Sequence, residues 1–158
     1  MPPSLTKFLT PATIHLQATV KDREQAIDLA GGLLLSTGKI EARYIQAIKD
    51  LLASAGPYMV ITPGVALLHA RPQSGALDEC VSLVTLKKAL PFGHLENDPV
   101  SLVFAFAAGN KDIHLEVMSA LARLLNDPAR IERMTHARKI TTILKLIKQV
   151  SDAQEGKK

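Results

Sequence analysis

The chain has few of the residues that staple or seal small proteins. Cys80 is its one cysteine, so no intramolecular disulfide can form. Tryptophan is absent and aromatics make up only 4% of the residues, so any core must be assembled from Leu, Ile, Val and Ala. There is no secretory apolar segment at the start, and no unbroken apolar run reaches the ~18 residues of a membrane helix. The expectation is a cytoplasmic protein with no direct membrane insertion. Several motifs are missing too. Without His-Glu-x-x-His or a cysteine cluster, no metal site is expected. Without Gly-x-Ser-x-Gly, Gly-x-x-x-x-Gly-Lys or Gly-x-Gly-x-x-Gly after a strand, serine-hydrolase and nucleotide chemistry have little support, and no cofactor is expected.

What is present fits one soluble α/β domain. The 158 residues, 47% of them hydrophobic and 22% charged, match the usual ~100 to 200 residues per domain. A single domain spanning 1–158 is expected, with a core of about 13–150 and flexible tails. The net charge of +4 is concentrated near the end, where Arg130, Arg133, Arg138, Lys139, Lys145, Lys148, Lys157 and Lys158 face only Glu132, Asp152 and Glu155. No aromatics interleave these cations, so they read as a solvated face and no nucleic-acid partner is expected.

Periodicity supplies the elements. Met1 to Pro11 reads as a tail, followed by a short extended piece, Thr13 to Leu16. Asp22 and Gln25 form a capping-box pattern ahead of a helix on Ala26, Ile27, Ala30, Leu33 and Leu34, which Gly38 stops. A second helix fits Glu41 to Ser54, with Tyr44, Ile45, Ile48, Leu51 and Leu52 on one face, ended by Gly56-Pro57. Strands are expected at Tyr58 to Ile61, Val65 to His69 and Val81 to Leu86. Between them lies a surface loop at Arg71 to Glu79, and a polar loop at Lys87 to Pro99 follows. The wholly apolar Val100 to Ala108 implies a central strand covered on both faces. Helices follow from about Asp112, from Asp127-Pro128 to about Met134, and from about Arg138 to Val150, with a disordered charged tail after Ser151. The fold class is therefore α/β: a mixed β-sheet flanked by helices on both faces.

Chemistry is expected around ITPGVALLHARP, Ile61 to Pro72. There a buried strand delivers His69 to an edge with Arg71 two residues on, the kind of place where open α/β folds keep their sites. Five histidines are candidates. His15 and His136 read as surface or satisfied side chains, and His94 as a solvated loop residue or one near a carboxylate. His69 and His114 each follow the end of a strand. If those strands are parallel in one sheet, both histidines share a rim, and a histidine acting as a nucleophile is the chemistry left open.

The strand ending in VALLHARP, the loop LKKALPFGHLENDPV, the segment IHLEVMSALARLL and the helix EARYIQAI resemble a known family. It is the enzyme IIA domain, mannitol/fructose-type fold, of the bacterial phosphoenolpyruvate-dependent sugar phosphotransferase system. The resemblance covers about Leu16 to Val150 and is closest to the L-ascorbate or pentitol branch. It implies a phosphocarrier that takes a phosphoryl group from a phosphohistidine carrier protein and passes it to a cysteine of enzyme IIB, with a membrane enzyme IIC engaged indirectly. It implies His69 as phosphoryl acceptor and His114 as the histidine beside it that stabilises the phosphoryl group. Two departures stand out. The acceptor is flanked by Leu68 and Ala70 where Pro-His-Gly is common, and an arginine of mannitol-type members falls on Leu51. Arg71 is the replacement candidate for anion stabilisation. A nitrogen-type regulatory enzyme IIA, which controls a partner through its phosphorylation state, is the alternative reading.

Overall fold

The structure, a computed structural model, describes residues 5–155. Five strands form one mixed sheet: β1 (Ile14–Ala18), β2 (Val60–Thr62), β3 (Val65–Leu68), β4 (Cys80–Leu90) and β5 (Val100–Ala107). Their spatial order is β1-β4-β5-β3-β2. β1 runs parallel to β4 and β3 parallel to β5, while the β4/β5 and β2/β3 pairs are antiparallel. Six helices cover it: α1 (Leu5–Phe8), α2 (Arg23–Ser36), α3 (Ala42–Ala55), α4 (Lys111–Leu124), α5 (Pro128–His136) and α6 (Ile140–Glu155).

Side chains alternate across a strand, so a strand buried on both faces feeds two cores. Ala66, Leu68, Val103, Ala105 and Ala107 pack with Ala26, Ile27, Tyr44 and Ile48 under α2 and α3. Val65, Leu67, Leu102, Phe104 and Phe106 pack with Val117, Leu121, Met134, Ile143 and Ile147 under α4, α5 and α6. Helices on both faces are thus what the apolar run of β5 requires.

Local signals set the helix ends. Asp22 accepts the amide of Gln25 at 3.0 Å, and the Gln25 side chain returns to the amide of Lys21 at 2.7 Å. That is a capping box displaced by one residue. Asp127 caps α5, with Pro128 in its first turn.

Three expectations are corrected. The segment expected as an N-terminal tail contains α1, and Leu5 and Leu9 are buried against the α6 side of the sheet. A four-residue helix is too short to show a period. β4 runs to Leu90, past the expected Leu86, because Leu90 pairs with Val100 and packs on the core, although Lys87 and Lys88 are exposed. α6 continues through Ser151 to Glu155, where a disordered tail was expected. The rest of the expected tails, 1–4 and 156–158, lies outside the described residues.

Candidate functional site

Two strand exits build the site. Leu68 of β3 lies opposite Ala105 of β5 in parallel register, so the next residues, His69 and Phe106, are neighbours across the sheet edge. His69 has the parity of Val65 and Leu67, and Phe106 that of Leu102 and Phe104. Both therefore face the α4 side. β5 ends at Ala107, and α4, beginning four residues later at Lys111, brings His114 over the same spot. The result is a cluster of rings. His69 stacks on Phe106 with centroids 5.1 Å apart, His114 tilts over Phe106 at 4.9 Å, and the two imidazoles meet edge to face at 5.4 Å. Tyr58 stands edge-on to His69 at 6.2 Å. The rim shared by two parallel strands, expected from sequence for His69 and His114, is present.

The orientation of His69 follows from one contact. Its Nδ1 lies 2.9 Å from the carbonyl oxygen of Leu67. A carbonyl can only accept, so Nδ1 carries the proton and Nε2 holds the free lone pair. Burial pushes the His69 pKa down, the Leu67 carbonyl opposes that shift, and His114 adds to it. The His114 pKa is lowered by burial as well. Both imidazoles are thus favoured in the neutral form.

A cleft of about 940 Å³ opens over these rings, lined among others by Leu51, Ala55, Tyr58, His69, Arg71, Asn110, Lys111, His114 and Leu115. Arg71 is exposed on its wall. Its segment is ordered: Pro72–Ser74 form a 3-10 turn, the Gly75 carbonyl accepts the Glu41 amide at 2.8 Å, and Arg43 bonds the Gln73 carbonyl at 3.0 Å. A side chain at Gly75 (φ +124°) would be strained, and its Cβ would crowd the Tyr44 amide nitrogen at 3.3 Å. The loop expected at Arg71 to Glu79 is therefore tied to the start of α3. Leu51 gives the cleft an apolar wall.

α4 begins at Lys111, within one residue of the expected start at about Asp112. Asn110 is the N-cap and accepts the Ile113 amide at 3.0 Å, while the His114 amide bonds the Asn110 carbonyl at 3.0 Å. The amides of Lys111 and Asp112 are the first-turn donors left outside these bonds. Lys111, which sequence reasoning passed over, brings a second cation to the cleft. Asn before an amphipathic run was the available signal.

The remaining histidines are elsewhere. His15 is exposed on β1. His136 is exposed and pairs with Glu132 at 3.2 Å. The Nδ1 of His94 accepts the amides of Glu96 and Asn97, so its ring organises its own loop. The carboxylate contact expected at His94 is made by its backbone, whose amide donates to Asp98 at 3.1 Å.

Comparison with known proteins agrees with this architecture. Residues 7–150 match the family described as "Phosphoenolpyruvate-dependent sugar phosphotransferase system, EIIA 2". The chain is 38% identical over 142 residues to the ascorbate-specific PTS system EIIA component of Salmonella choleraesuis (strain SC-B67), which covers 89% of this chain and 92% of that protein. The solution structure of the mannitol-specific cryptic phosphotransferase enzyme IIA CmtB from Escherichia coli superposes with a TM-score of 0.85 at 32% identity, over 93% of this chain and 99% of that one. The Escherichia coli complex of enzyme IIAMTL with phosphorylated enzyme IIBMTL gives 0.80 at 26% identity, over 90% and 99%. The paired histidines at the sheet edge thus belong to a member of the enzyme IIA family of the phosphoenolpyruvate-dependent sugar phosphotransferase system, a phosphocarrier and phosphotransferase component with the mannitol-type fold.

Proposed function

We propose that the chain, acting as one enzyme IIA domain in the cytoplasm, accepts a phosphoryl group on Nε2 of His69 from a phosphohistidine carrier protein. It then passes the group to a cysteine of an enzyme IIB. The observation that carries this reading is the 2.9 Å bond from His69 Nδ1–H to the Leu67 carbonyl, which leaves Nε2 as the nucleophile beside the cleft. The Nε2 lone pair attacks phosphorus and the new N–P bond forms. The carrier's N–P bond breaks, and its electron pair returns to the carrier's imidazole. The proton stays on Nδ1 and is donated to the Leu67 carbonyl, whose dipole favours the positive charge that spreads into the ring. In the second half-reaction a cysteine thiolate takes the phosphoryl group, an S–P bond forms, and the N–P electron pair restores neutral His69.

Phosphoryl transfer needs positioning and charge stabilisation more than covalent help. His114 is suited to donate an N–H to a phosphoryl oxygen, and Arg71 to supply a planar cationic fork at the rim. Lys111 adds charge at the start of α4.

The identity to ascorbate-specific components supports L-ascorbate or a related pentitol as the cargo, delivered through a membrane enzyme IIC that this chain meets only indirectly. The test is the second half-reaction. Chain phosphorylated by the upstream relay is mixed with an ascorbate-type enzyme IIB and with its Cys→Ser variant. Transfer to the former alone supports the transport reading, while a phosphorylated chain that discharges to no enzyme IIB favours the regulatory one.

A further inference from the structure

Tyr44 lies on a face of α3 otherwise built from Ile48 and Leu52, and its side chain is 0% exposed. A buried phenol must place its hydroxyl, and this one is placed on both strand exits. The hydroxyl oxygen accepts the Ala70 amide at 2.9 Å and lies 2.9 Å from the Phe106 carbonyl and 3.1 Å from the Ala70 carbonyl. One proton thus serves two carbonyls while the oxygen holds an amide, which leaves little hydrogen-bonding capacity unused. Burial raises the Tyr44 pKa well above the ordinary tyrosine range, so the hydroxyl remains a donor throughout the working pH range.

The residues it joins are particular ones. Ala70 directly follows His69, and Phe106 is the ring on which His69 and His114 rest. Parity explains the arrangement: Ala70 continues the face of Ala66 and Leu68 toward α3, while His69 points the opposite way toward α4. Tyr44 therefore holds from below the backbone that carries His69 above.

We propose that Tyr44 is a positioning residue for phosphoryl transfer. By bridging the exits of β3 and β5 it keeps the His69 ring on Phe106, with Nδ1–H on Leu67 and Nε2 turned to the incoming phosphorus. This rests on the reading of His69 as acceptor. Among the described residues no hydrogen bond or ring contact joins His69 to Tyr44; the effect is transmitted through Ala70 and Phe106.

Tyr44→Phe keeps the ring and removes only the oxygen. In the folded variant, imidazole 15N shifts of His69 are expected to move from a single Nδ1–H tautomer toward a mixture. The maximal rate of phosphoryl transfer is expected to fall about ten- to a hundredfold, as for a modest misplacement of reacting atoms. The KM for the carrier should not change, because the hydroxyl is buried away from any partner. The rate deficit should persist at low temperature, where a merely destabilised variant would recover. A folded Tyr44→Phe protein with wild-type tautomer and rate overturns the proposal. Should the variant not fold, the wild type decides: a slowly exchanging Tyr44 hydroxyl proton with a cross-peak to the Ala70 amide is expected, and a rapidly exchanging one overturns it. A wild-type chain that the relay never labels defeats the phosphocarrier reading of His69, while the tautomer shift still decides whether Tyr44 sets its ring.

Discussion

His69 is enclosed by rings, and enclosure favours the uncharged imidazole that nucleophilic attack requires. The same lowering of its pKa has a consequence for stability. Above the unfolded-state value of about 6.5, both states are neutral and the folded state bears no penalty. Below it the unfolded chain binds a proton that folded His69 resists, so stability falls as pH drops toward the folded-state pKa, by at most about 1.4 kcal/mol per pH unit for one group. His114, lowered by burial too, adds slope of the same sign. Thermal melts from pH 7 to 5 are therefore expected to fall less steeply for His69→Gln than for the wild type; parallel slopes would count against burial as the cause. His114→Ala should still accept phosphate but transfer it slowly. Losing one charge-assisted contact costs ~1.5 to 3 kcal/mol, or roughly ten- to a hundredfold in rate. Arg71 is exposed and Lys111 shares its cleft, so Arg71→Ala is expected to slow phosphorylation only about fivefold, an effect of ~1 kcal/mol. Arg71→Lys should be slowed less. Wild-type rates in both Arg71 variants would leave anion stabilisation to His114, Lys111 and the first amides of α4.

At the scale of elements, α2 and α3 meet through an absent side chain. A Cβ on Gly31 would lie 2.7 Å from Cγ1 and 3.2 Å from Cγ2 of Ile45, a branched side chain with little room to turn. Gly31→Ala would gain ~1 kcal/mol of helix propensity but incur overpacking of ~1 to 3 kcal/mol, so a net loss of about 1 kcal/mol and a melting temperature lower by a few degrees are expected. Because α3 carries Tyr44, transfer should weaken along with stability; an unchanged melting temperature would show that Ile45 yields freely. Elements of this kind were the most legible part of the sequence. α2, α3, α5 and β5 announce themselves by period, cap or unbroken apolar run. α1 did not, since four residues carry no period, and neither did the last residues of β4, where exposed Lys87 and Lys88 interrupt the apolar pattern before Leu90 pairs with Val100.

At the scale of the whole molecule, the positive charge is partly structural. Arg130 donates to the carbonyls of Arg123 and Leu124 at the end of α4, while Arg133, Arg138, Lys139, Lys145 and Lys148 are exposed along α5, α6 and their connection. The strand order was not legible from sequence. Which strands run parallel decides that His69 and Phe106 are neighbours, and that choice is made by pairings between distant residues. His69 and His114 could thus be named as sharing a rim only conditionally. The Phe106 platform and the Tyr44 bridge, which depend on register, emerged with the three-dimensional arrangement. The central claim is that one histidine, His69, carries the phosphoryl group, and intact-mass measurement after incubation with phosphoenolpyruvate and the upstream relay proteins tests it most directly. The wild type should gain one phosphoryl mass, lost in acid and stable to mild alkali as a phosphoramidate is. His15, His94 and His136 variants should be labelled alike, and His69→Ala, folded by circular dichroism, should gain nothing. Stoichiometric labelling of folded His69→Ala would contradict the claim and make His114 the acceptor to examine next.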